Sequence, residues 1–531
     1  MNQDLKPEQI KILKLYSKIA KKLGYHPTRA ILKENGISKD KVEYYFNSLT
    51  NLKHEAKEYC PISFKNIIDE EMFNPQKFAE LLAHIKPFKK FVITTAVTGS
   101  DIHEGFYKSL KYYCEINNAC LLILPCSEPT KNTENKWKLA PELKGENIVF
   151  DDVALNANLF ISTVKLQAKQ IDPITSLTRI GSRHGSFIYA SPKQRLKYVP
   201  VSNVKYPHAV MTTGAITKPQ YMPERYMSQR TAYIATHDHV LGAIVVELAE
   251  GDLFHFRQIQ AESSGSFVDL GIYYKQDHLG DVSPKALVLG DLHCGEEDSK
   301  TVDAWMELIT EVKPEVLVLH DVFDGHSINH HETNKHLVKA LRAIRQQSSL
   351  DKELSNLAKE LDIWASMVKE VVIVKSNHDQ FLQTYLEDGL YIKDPINCLT
   401  GLKLAVKVLE GEDPLKAGVE MFGLTAKNIR WLSLDDDYKV ARIQLGAHGH
   451  IGANGAKGSI KGMESAYGNS VSGHTHTPEI LRGAWIVGTS TKMKLSYNKG
   501  PSSWVNASCL VYPNGSRQLI NAFNGEWRSK E

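Results

Sequence analysis

Five short groups of Asp, His and Asn residues recur through the C-terminal half of the sequence, each soon after an apolar run. In chain order they read Asp291-Leu292-His293, Asp321-Val322-Phe323-Asp324, Ser376-Asn377-His378-Asp379, His448-Gly449-His450 and Gly473-His474-Thr475-His476. Residues two apart at a strand end point to the same side, so Asp291 and His293 can approach one centre, as can His474 and His476. One D-x-H is commonplace in proteins. Five such groups in order predict side chains that converge.

The mixture of ligand types indicates a particular chemistry. Imidazole and carboxylate ligands with one amide suit Mn²⁺, Fe or Zn²⁺ better than Ca²⁺, and no cysteine is placed to select a softer metal. Two ions about 3.5–4 Å apart need a bridging oxygen ligand, which Asp321 could supply. A hydroxide between such ions has a lowered pKa and can attack phosphorus in line, while a nearby imidazolium takes up the developing charge.

The elements that position these groups alternate between strands and helices. Short apolar runs at 286–289, 316–319 and 371–374 are typical of buried strands, and helical periodicity covers 301–312 and 335–369. In a doubly wound α/β sheet, ligands gather at the carboxyl ends of the strands. The sequence therefore predicts an α/β fold with the polar groups at one edge of its sheet.

The motifs resemble those of the calcineurin-like metallophosphoesterase superfamily, which run D-x-H, G-D-x-x-D, G-N-H-[DE], a His before Gly, and G-H-x-H. The resemblance covers roughly residues 286–523 and implies a four-layer fold of two sheets flanked by helices. It implies that one metal is held by Asp291, His293, Asp321 and His476. It implies that a second is held by Asp321, Asn377, His448 and His474. The favoured ion is Mn²⁺, with Mg²⁺, Fe and Zn²⁺ as alternatives.

The same resemblance assigns His378 as the catalytic histidine and Asp379 as the carboxylate that orients it. Two positions depart from the family pattern, because His320 and Ser376 stand where glycine is usual. Glycine at these positions allows a sharp backbone turn, so the two substitutions affect the local backbone conformation. Every predicted ligand residue is still present. Two further histidines are predicted to contact substrate: His326, on the loop after the bridging aspartate, and His450, which competes with His448 for the ligand position.

The motifs at 321–325 and 376–379 are most similar to the DNA-nuclease branch typified by SbcD-type repair exonucleases, although those enzymes place the phosphoesterase part first. The whole-chain plan resembles the pre-early DNA-degradation nucleases of T-odd bacteriophages. These resemblances imply a DNA nuclease that hydrolyses phosphodiester bonds through a hydroxide bridging two metals. Two alternatives stay open: a phosphatase or small-molecule phosphodiesterase of the same fold, and a DNA-binding or scaffolding protein with an inert phosphoesterase domain.

We expect three parts, a helical module over 1–60, an α/β domain over 61–280 and the phosphoesterase domain over 281–531. The first sixty residues carry twelve Lys/Arg and seven Asp/Glu, a net charge of +5. A helix from about Ile10, a second over 28–34 and a third capped by Ser38 suggest a helix-turn-helix. That module is interpreted either as a DNA-docking element, through Lys39 and Lys41, or as a helical adaptor.

The middle part begins with a strand-helix-strand pattern over 91–96, 102–115 and 119–124. Later segments, 180–201 and 231–246, alternate like antiparallel strands, with His237 and His239 interpreted as structural. A basic group there is weighed as a phosphate site or a solvated surface: Arg179, Arg183, His184, Lys193, Arg195 and Lys197.

The composition excludes several classes of protein. The 531 residues include 64 Lys/Arg, 61 Asp/Glu and 21 His, for a net charge of +3, which argues against a protein that coats DNA by bulk charge. Seven scattered cysteines indicate a reducing, cytoplasmic setting, which would be the host cytoplasm for a phage protein. No apolar run is long enough for a membrane span. The expected partner is DNA; a homo-oligomer is left open, and no regulatory partner is indicated.

Overall fold

The computed structural model describes most of the chain. The described residues are 5–23, 27, 29–49, 51–52, 55–56, 68–69, 75–126, 138–202, 206–221, 228–332, 334–496 and 498–529. Over these residues the chain forms fourteen α-helices and twenty-six strands arranged in five sheets. The predicted α/β class is confirmed.

Three helices form the N-terminal part: α1 (Pro7–Leu23), α2 (Arg29–Glu34) and α3 (Lys39–Phe46). The Ser38 hydroxyl accepts a hydrogen bond from the Lys41 backbone N–H at 3.3 Å, as the capping pattern predicts. Buried apolar side chains from all three helices, among them Leu13, Leu32 and Val42, form a core of their own. The predicted helices are confirmed, and their docking to DNA stays a prediction.

The described residues of the middle part form four helices and fifteen strands. The helices are α4 (Pro75–Ile85), α5 (Glu104–Ile116), α6 (Thr178–His184) and α7 (Gln229–His237). The strands are β1 (Ile68–Asp69), β2 (Lys90–Val97), β3 (Ala119–Cys126), β4 (Lys138–Leu139), β5 (Asn147–Ile148), β6 (Val153–Ala154), β7 (Leu159–Ser162), β8 (Ser186–Tyr189), β9 (Gln194–Val199), β10 (His208–Thr213), β11 (Gly242–Leu248), β12 (Phe254–Gln260), β13 (Phe267–Asp269), β14 (Ile272–Lys275) and β15 (His278–Asp281).

The predicted strand-helix-strand unit is confirmed as β2, α5 and β3, with β2 and β3 parallel. The strand predicted across His237 is wrong, because His237 ends helix α7. His239 follows that helix, and both of its ring nitrogens form hydrogen bonds with nearby residues. Nδ1 lies 2.7 Å from the Tyr221 hydroxyl, and Nε2 lies 2.8 Å from the Thr217 carbonyl. These contacts agree with a structural role.

The C-terminal part supplies the remaining elements. Its helices are α8 (Ser299–Val312), α9 (His336–Ile344), α10 (Leu350–Met367), α11 (Asp379–Glu387), α12 (Cys398–Leu409), α13 (Pro414–Met421) and α14 (Ile460–Tyr467). Its strands are β16 (Ala286–Val288), β17 (Val316–His320), β18 (Glu370–Val374), β19 (Ile429–Trp431), β20 (Lys439–Val440), β21 (Ile443–Gln444), β22 (Ser470–Ser472), β23 (Glu479–Leu481), β24 (Ala484–Ile486), β25 (Asn506–Val511) and β26 (Arg517–Ala522).

Two sheets carry the candidate site. One has six strands in the order β19-β18-β17-β16-β25-β26, with β16 to β19 parallel. The other has ten strands in the order β20-β21-β22-β24-β23-β9-β10-β8-β7-β6. Strand β23 pairs with β9 in this second sheet, Ile480 opposite Leu196, so the sheet includes strands from both sides of the predicted boundary at residue 280.

The alternation of side chains explains how the six-stranded sheet packs. Val288, Val318 and Val372 belong to a core that also contains residues of the ten-stranded sheet. The alternate residues, such as Leu287 and Leu317, join a second core with the helices. Both faces of the parallel strands are thus buried, as continuous apolar runs require.

The predicted basic group in the middle part does not form one surface. Lys193 is 2% exposed and bonds Asp238 at 3.2 Å. Arg195 is also buried and pairs with Asp172 at 3.3 Å and Glu479 at 2.8 Å. The phosphate interpretation is therefore wrong for these two residues, which pair with carboxylates of the same chain instead.

Six of the seven cysteines lie in the described part of the chain, and all six are free thiols. No helix among the described residues is both long and apolar enough to cross a membrane.

Candidate metal centre

The carboxyl ends of neighbouring strands bring the predicted ligands together. Asp321 directly follows β17, and Asn377 lies three residues beyond β18. His474 lies two residues beyond β22, in the other sheet. The site therefore lies where the strand ends of both sheets meet, which is where the sequence places it.

Four side chains form the first group, Asp291, His293, Asp321 and His476, each offering one ligand atom within 4.8 Å of the others. Nε2 of His293 lies 3.1 Å from Nε2 of His476 and 3.4 Å from Oδ2 of Asp321. Nε2 of His476 lies 3.2 Å from Oδ2 of Asp291. All four side chains are buried.

These donor atoms fit a cation better than they fit one another. Two imidazole nitrogens face each other and also face carboxylates, an arrangement that a shared positive charge satisfies. Oδ1 of Asp291 and Nδ1 of His476 are buried and have no hydrogen-bond partner among the described residues. A buried polar atom without a partner costs about 1–3 kcal/mol, so such atoms are rarely kept without a function. The cluster could hold a divalent metal ion.

The second predicted group continues from Asp321. Nε2 of His448 lies 3.3 Å from Oδ2 of Asp321 and 3.1 Å from Oδ1 of Asn377. The same Asn377 oxygen lies 3.0 Å from Nδ1 of His474. All seven predicted ligands are thus in one contiguous cluster, with Asp321 between its two halves.

The backbone is strained at the ligands. Four of these residues have a positive φ, in the left-handed region that residues other than glycine rarely adopt: His293 (46°), Asp321 (45°), His474 (76°) and His476 (56°). Such conformations cost about 1–3 kcal/mol each and persist where the surrounding structure enforces them. Gly473 is required beside them, because a Cβ there would overlap the Asp291 carboxylate.

The charges of the cluster support one another. Burial raises the pKa of Asp321, but His448, His378 and His293 outweigh it and hold that pKa well below its usual range. Burial lowers the pKa of His293, but the carboxylates of Asp321, Asp324 and Asp291 outweigh it and raise the pKa to about 9. These shifts keep Asp321 ionised and His293 protonated near pH 7, so the His293 imidazolium places a positive charge beside the Asp321 carboxylate.

The environment of His378 differs in part from the prediction. Its Nδ1 lies 2.8 Å from the backbone carbonyl oxygen of Asp324, which holds the ring. The Asp379 carboxylate instead accepts hydrogen bonds from the backbone N–H groups of Phe323 and Ser376, at 3.3 and 3.0 Å. We therefore correct the role of Asp379: at the start of helix α11 its carboxylate ties two ligand-bearing loops together.

The side chain of His326 is largely buried beside the site. Its side chain is 10% exposed, and its Nδ1 lies 3.3 Å from Asp324 Oδ2 and 3.1 Å from Glu353 Oε1. Asp324 in turn reaches Nδ1 of the ligand His293 at 3.2 Å. His326 is thus part of a chain of contacts behind His293, and its contact with substrate stays a prediction. Sequence reasoning missed Glu353, which lies on helix α10 with no motif around it.

The other predicted contact residue, His450, is half-buried beside the second group. Its ring centroid lies 5.3 Å from that of His448 and 5.9 Å from that of His474. Burial, then His448 and His474, lower its pKa to about 4, so the ring is neutral near pH 7. Both ring nitrogens are buried and have no hydrogen-bond partner among the described residues, and the contact of His450 with substrate stays a prediction.

The chain is similar to a bacteriophage protein. Over 483 residues it is 27% identical to "Protein A1" of Escherichia phage T5, a match that covers 83% of each chain. No protein-family model matches the sequence. No solved structure matches the chain. The similarity supports a phage-related protein.

Proposed function

We propose that the protein is a metal-dependent nuclease that hydrolyses phosphodiester bonds in DNA. The observation that carries this proposal is the convergence of all seven predicted ligands around Asp321, with His378 beside them. The backbone N–H of His378 lies 3.4 Å from Asp321 Oδ1, so the catalytic histidine and the shared ligand are joined directly. The donor set favours Mn²⁺ as the native ion.

Bound divalent ions would supply the Lewis acidity that activates water and stabilises charge on the phosphate. The protein's own residues supply the rest. The Asp324 carbonyl holds Nδ1 of His378, so Nε2 is the atom that would deliver a proton to the leaving oxygen. His450 would contact a non-bridging phosphate oxygen. Asp291 and Asp321 keep the site negative and thereby select cations.

Several features favour a nucleic acid over a small phosphate ester. A partly exposed aromatic ring lies beside the site: the ring centroid of Trp504 is 4.2 Å from that of His476. Such rings can stack on nucleobases. The basic N-terminal helices add a candidate phosphate contact that a small substrate would not need. The similarity to a phage protein favours action in the host cytoplasm.

The test is a digestion series over supercoiled, nicked, linear and single-stranded DNA, with Mg²⁺, Mn²⁺ or Zn²⁺ added to metal-free protein. We expect degradation that is greatest with Mn²⁺ and that His378→Ala abolishes while leaving the bound metal unchanged. If all DNA forms stay intact while a chromogenic phosphomonoester is cleaved, the protein is a phosphatase. Fewer than one bound metal per chain at saturating Mn²⁺ would support the inert scaffold.

A further inference from the structure

Helix α12 is apolar on two faces. Its inner face packs into the core through Thr400, Gly401 and Leu404. Its outer face exposes four large apolar side chains: Leu399 65%, Leu402 49%, Val406 54% and Leu409 88%. The only charged residues of the helix are Lys403 and Lys407.

This pattern is unusual for a helix at the surface of a single chain. A surface helix normally presents polar side chains to water, and a helix that is apolar all round is normally buried. Two more exposed apolar residues precede the helix, Ile392 and Ile396, which are 68% and 61% exposed. Exposed apolar residues in such number indicate a binding face.

The spacing within the stripe is symmetrical. Leu399, Leu402, Val406 and Leu409 are separated by three, four and three residues, the a/d spacing of a coiled-coil seam. In an antiparallel pair of these helices, Leu399 of one copy meets Leu409 of the other, and Leu402 meets Val406. The stripe therefore complements itself about a two-fold axis, as the interface of a symmetric dimer must.

The size of the stripe agrees with a dimer interface. At about 25 cal/mol per Å², a fully buried aliphatic side chain corresponds to roughly 100 Å² of apolar surface. Six side chains exposed by about half or more thus offer on the order of 400 Å². A standard interface buries about 800 Å² per partner, of which somewhat more than half is apolar.

The charges beside the stripe argue against a nucleic acid or a lipid surface as its occupant. Lys407 is already paired within its own chain, with Glu410 at 3.2 Å and Glu412 at 3.1 Å. That leaves Lys403 as the one charge of the helix without a carboxylate neighbour in the described part of the chain, too little for an anionic surface.

We propose that helix α12 packs antiparallel against the same helix of a second copy of this chain, so that the protein is a two-fold symmetric dimer. The dimer rests on the stripe alone and is independent of the proposed nuclease activity.

The first test is the molar mass of the full chain, measured by light scattering after size exclusion over a range of concentrations. We expect twice the chain mass of 59.6 kDa for the wild type. Leu402→Glu with Val406→Glu should give the single-chain mass. Ile171→Glu, at an apolar residue that is 61% exposed in the middle part, is the matched control and should stay dimeric. Equal melting temperatures would show that each variant is folded.

If the double Glu variant fails to fold, Leu399→Ala with Leu409→Ala should instead weaken the dimer, seen as dissociation at higher concentration than the wild type. A wild type that is monomeric at every concentration overturns the proposal. So does a dimer that survives these substitutions but dissociates on Leu337→Glu with Ile344→Glu, in the exposed apolar residues of helix α9.

Cysteine cross-linking tests the antiparallel arrangement. Leu402→Cys and Val406→Cys proteins, mixed and then oxidised, should give a covalent dimer, because these positions face each other across the axis. Leu402→Cys alone should cross-link no more than the wild type. Equal cross-linking of Leu402→Cys alone, or none in the mixture, overturns the antiparallel pairing.

Discussion

The protein contains two buried clusters of charged side chains. They are equally buried, but in one every polar atom has a hydrogen-bond or ion-pair partner, and in the other some polar atoms have none; we call such atoms matched and unmatched. In the middle part, Arg257 donates to Asp269 at 2.5 and 2.7 Å and to Glu247 at 3.0 Å. The Tyr113 hydroxyl and the Gln518 amide also donate hydrogen bonds to the Asp269 carboxylate, at 2.7 and 2.9 Å. Within the described residues, no side-chain atom of this cluster lacks a partner.

The cluster at the strand ends is equally buried but is not matched internally. Asp291 and His476 each keep a buried atom without a partner, and four ligands have left-handed backbone conformations. Burial and ion pairing alone therefore do not distinguish a structural cluster from a functional one. The combination of unmatched atoms with several left-handed backbone conformations in one cluster does, because the fold gains nothing from that combination unless a ligand completes the cluster.

The largest expected effect is on metal binding and activity, and it concerns only the cluster at the strand ends. Asp321→Ala removes the ligand shared by both halves of the site, so we expect bound Mn²⁺ to fall below one per chain and nuclease activity to fall by about 1000-fold or more. Metal content after dialysis and single-turnover DNA cleavage measure these two quantities. The melting temperature of the metal-free variant shows whether it is folded. A variant that keeps two metals would contradict the shared-ligand assignment.

The second prediction concerns the matched cluster. Asp269→Ala leaves the Arg257 guanidinium buried without its main partner, so the free energy of unfolding should fall by about 3–5 kcal/mol. Urea denaturation measures this change, and the Mn²⁺ content of the folded fraction should stay as in the wild type. Arg257→Met with Asp269→Leu should recover most of the loss. If Asp269→Ala changes metal content while stability is unchanged, the contrast between the clusters fails.

Much of the site could be predicted from the sequence, because the end of a parallel strand fixes where the next residues lie and which way their side chains point. A ligand directly after a parallel strand, such as Asp321, has its position set by the sheet. His378 and Asp379 lie on a loop that turns into a helix, where the sequence does not reveal which oxygen reaches which ring. Glu353 approaches from a separate helix, and only the tertiary packing places it behind His326.

The fold shows the same division. Apolar runs located β16, β17 and β18 of the six-stranded sheet to within a residue or two, but no run predicted β19. They could not show that β9 of the middle part pairs with β23, because nothing local to either strand specifies a partner nearly three hundred residues away. Helix α7 was predicted as part of an alternating strand, since its Ser228 cap is a weaker signal than the alternation that follows it.

The third prediction uses the pH dependence of the unmatched cluster. The raised pKa of His293, about 9 against an ordinary 6.5, means that a metal must displace its proton. Apparent Mn²⁺ affinity should therefore rise by about tenfold per pH unit from pH 7 and level off near pH 9. Calorimetric titration in two buffers measures both the affinity and the proton release. An affinity that is constant over this range would contradict the prediction.

The same shift has a consequence for stability. Because the folded pKa of His293 lies above its unfolded value, its proton stabilises the metal-free fold fully below about pH 6.5, and that contribution is lost as the pH rises through about 9. The melting temperature of metal-free protein should fall over that window. Saturating Mn²⁺ should flatten the dependence, because the metal replaces the proton.

The smallest expected effect concerns His320, the residue directly before the shared aspartate Asp321. Burial, then His448, lower its pKa to about 3, so the ring is neutral. Its Nδ1 lies 3.4 Å from Nδ1 of His448 and can accept a hydrogen bond from it. That bond keeps the proton of His448 on Nδ1, so that Nε2, which faces Asp321 and Asn377, is unprotonated. His320 thus acts as a positioning residue that fixes the tautomer of a ligand.

We expect His320→Ala to weaken binding of one of the two Mn²⁺ ions by about tenfold, so that the titration becomes biphasic, while His320→Asn, whose side-chain oxygen can still accept, recovers much of the affinity. His255 provides the matched control in the middle part, since it is also buried, with a pKa that burial lowers to about 4. His255→Ala should lower stability and leave both Mn²⁺ affinities unchanged. If His320→Ala behaves as His255→Ala does, His320 only fills space, and the difference between the two regions does not extend beyond the ligands themselves.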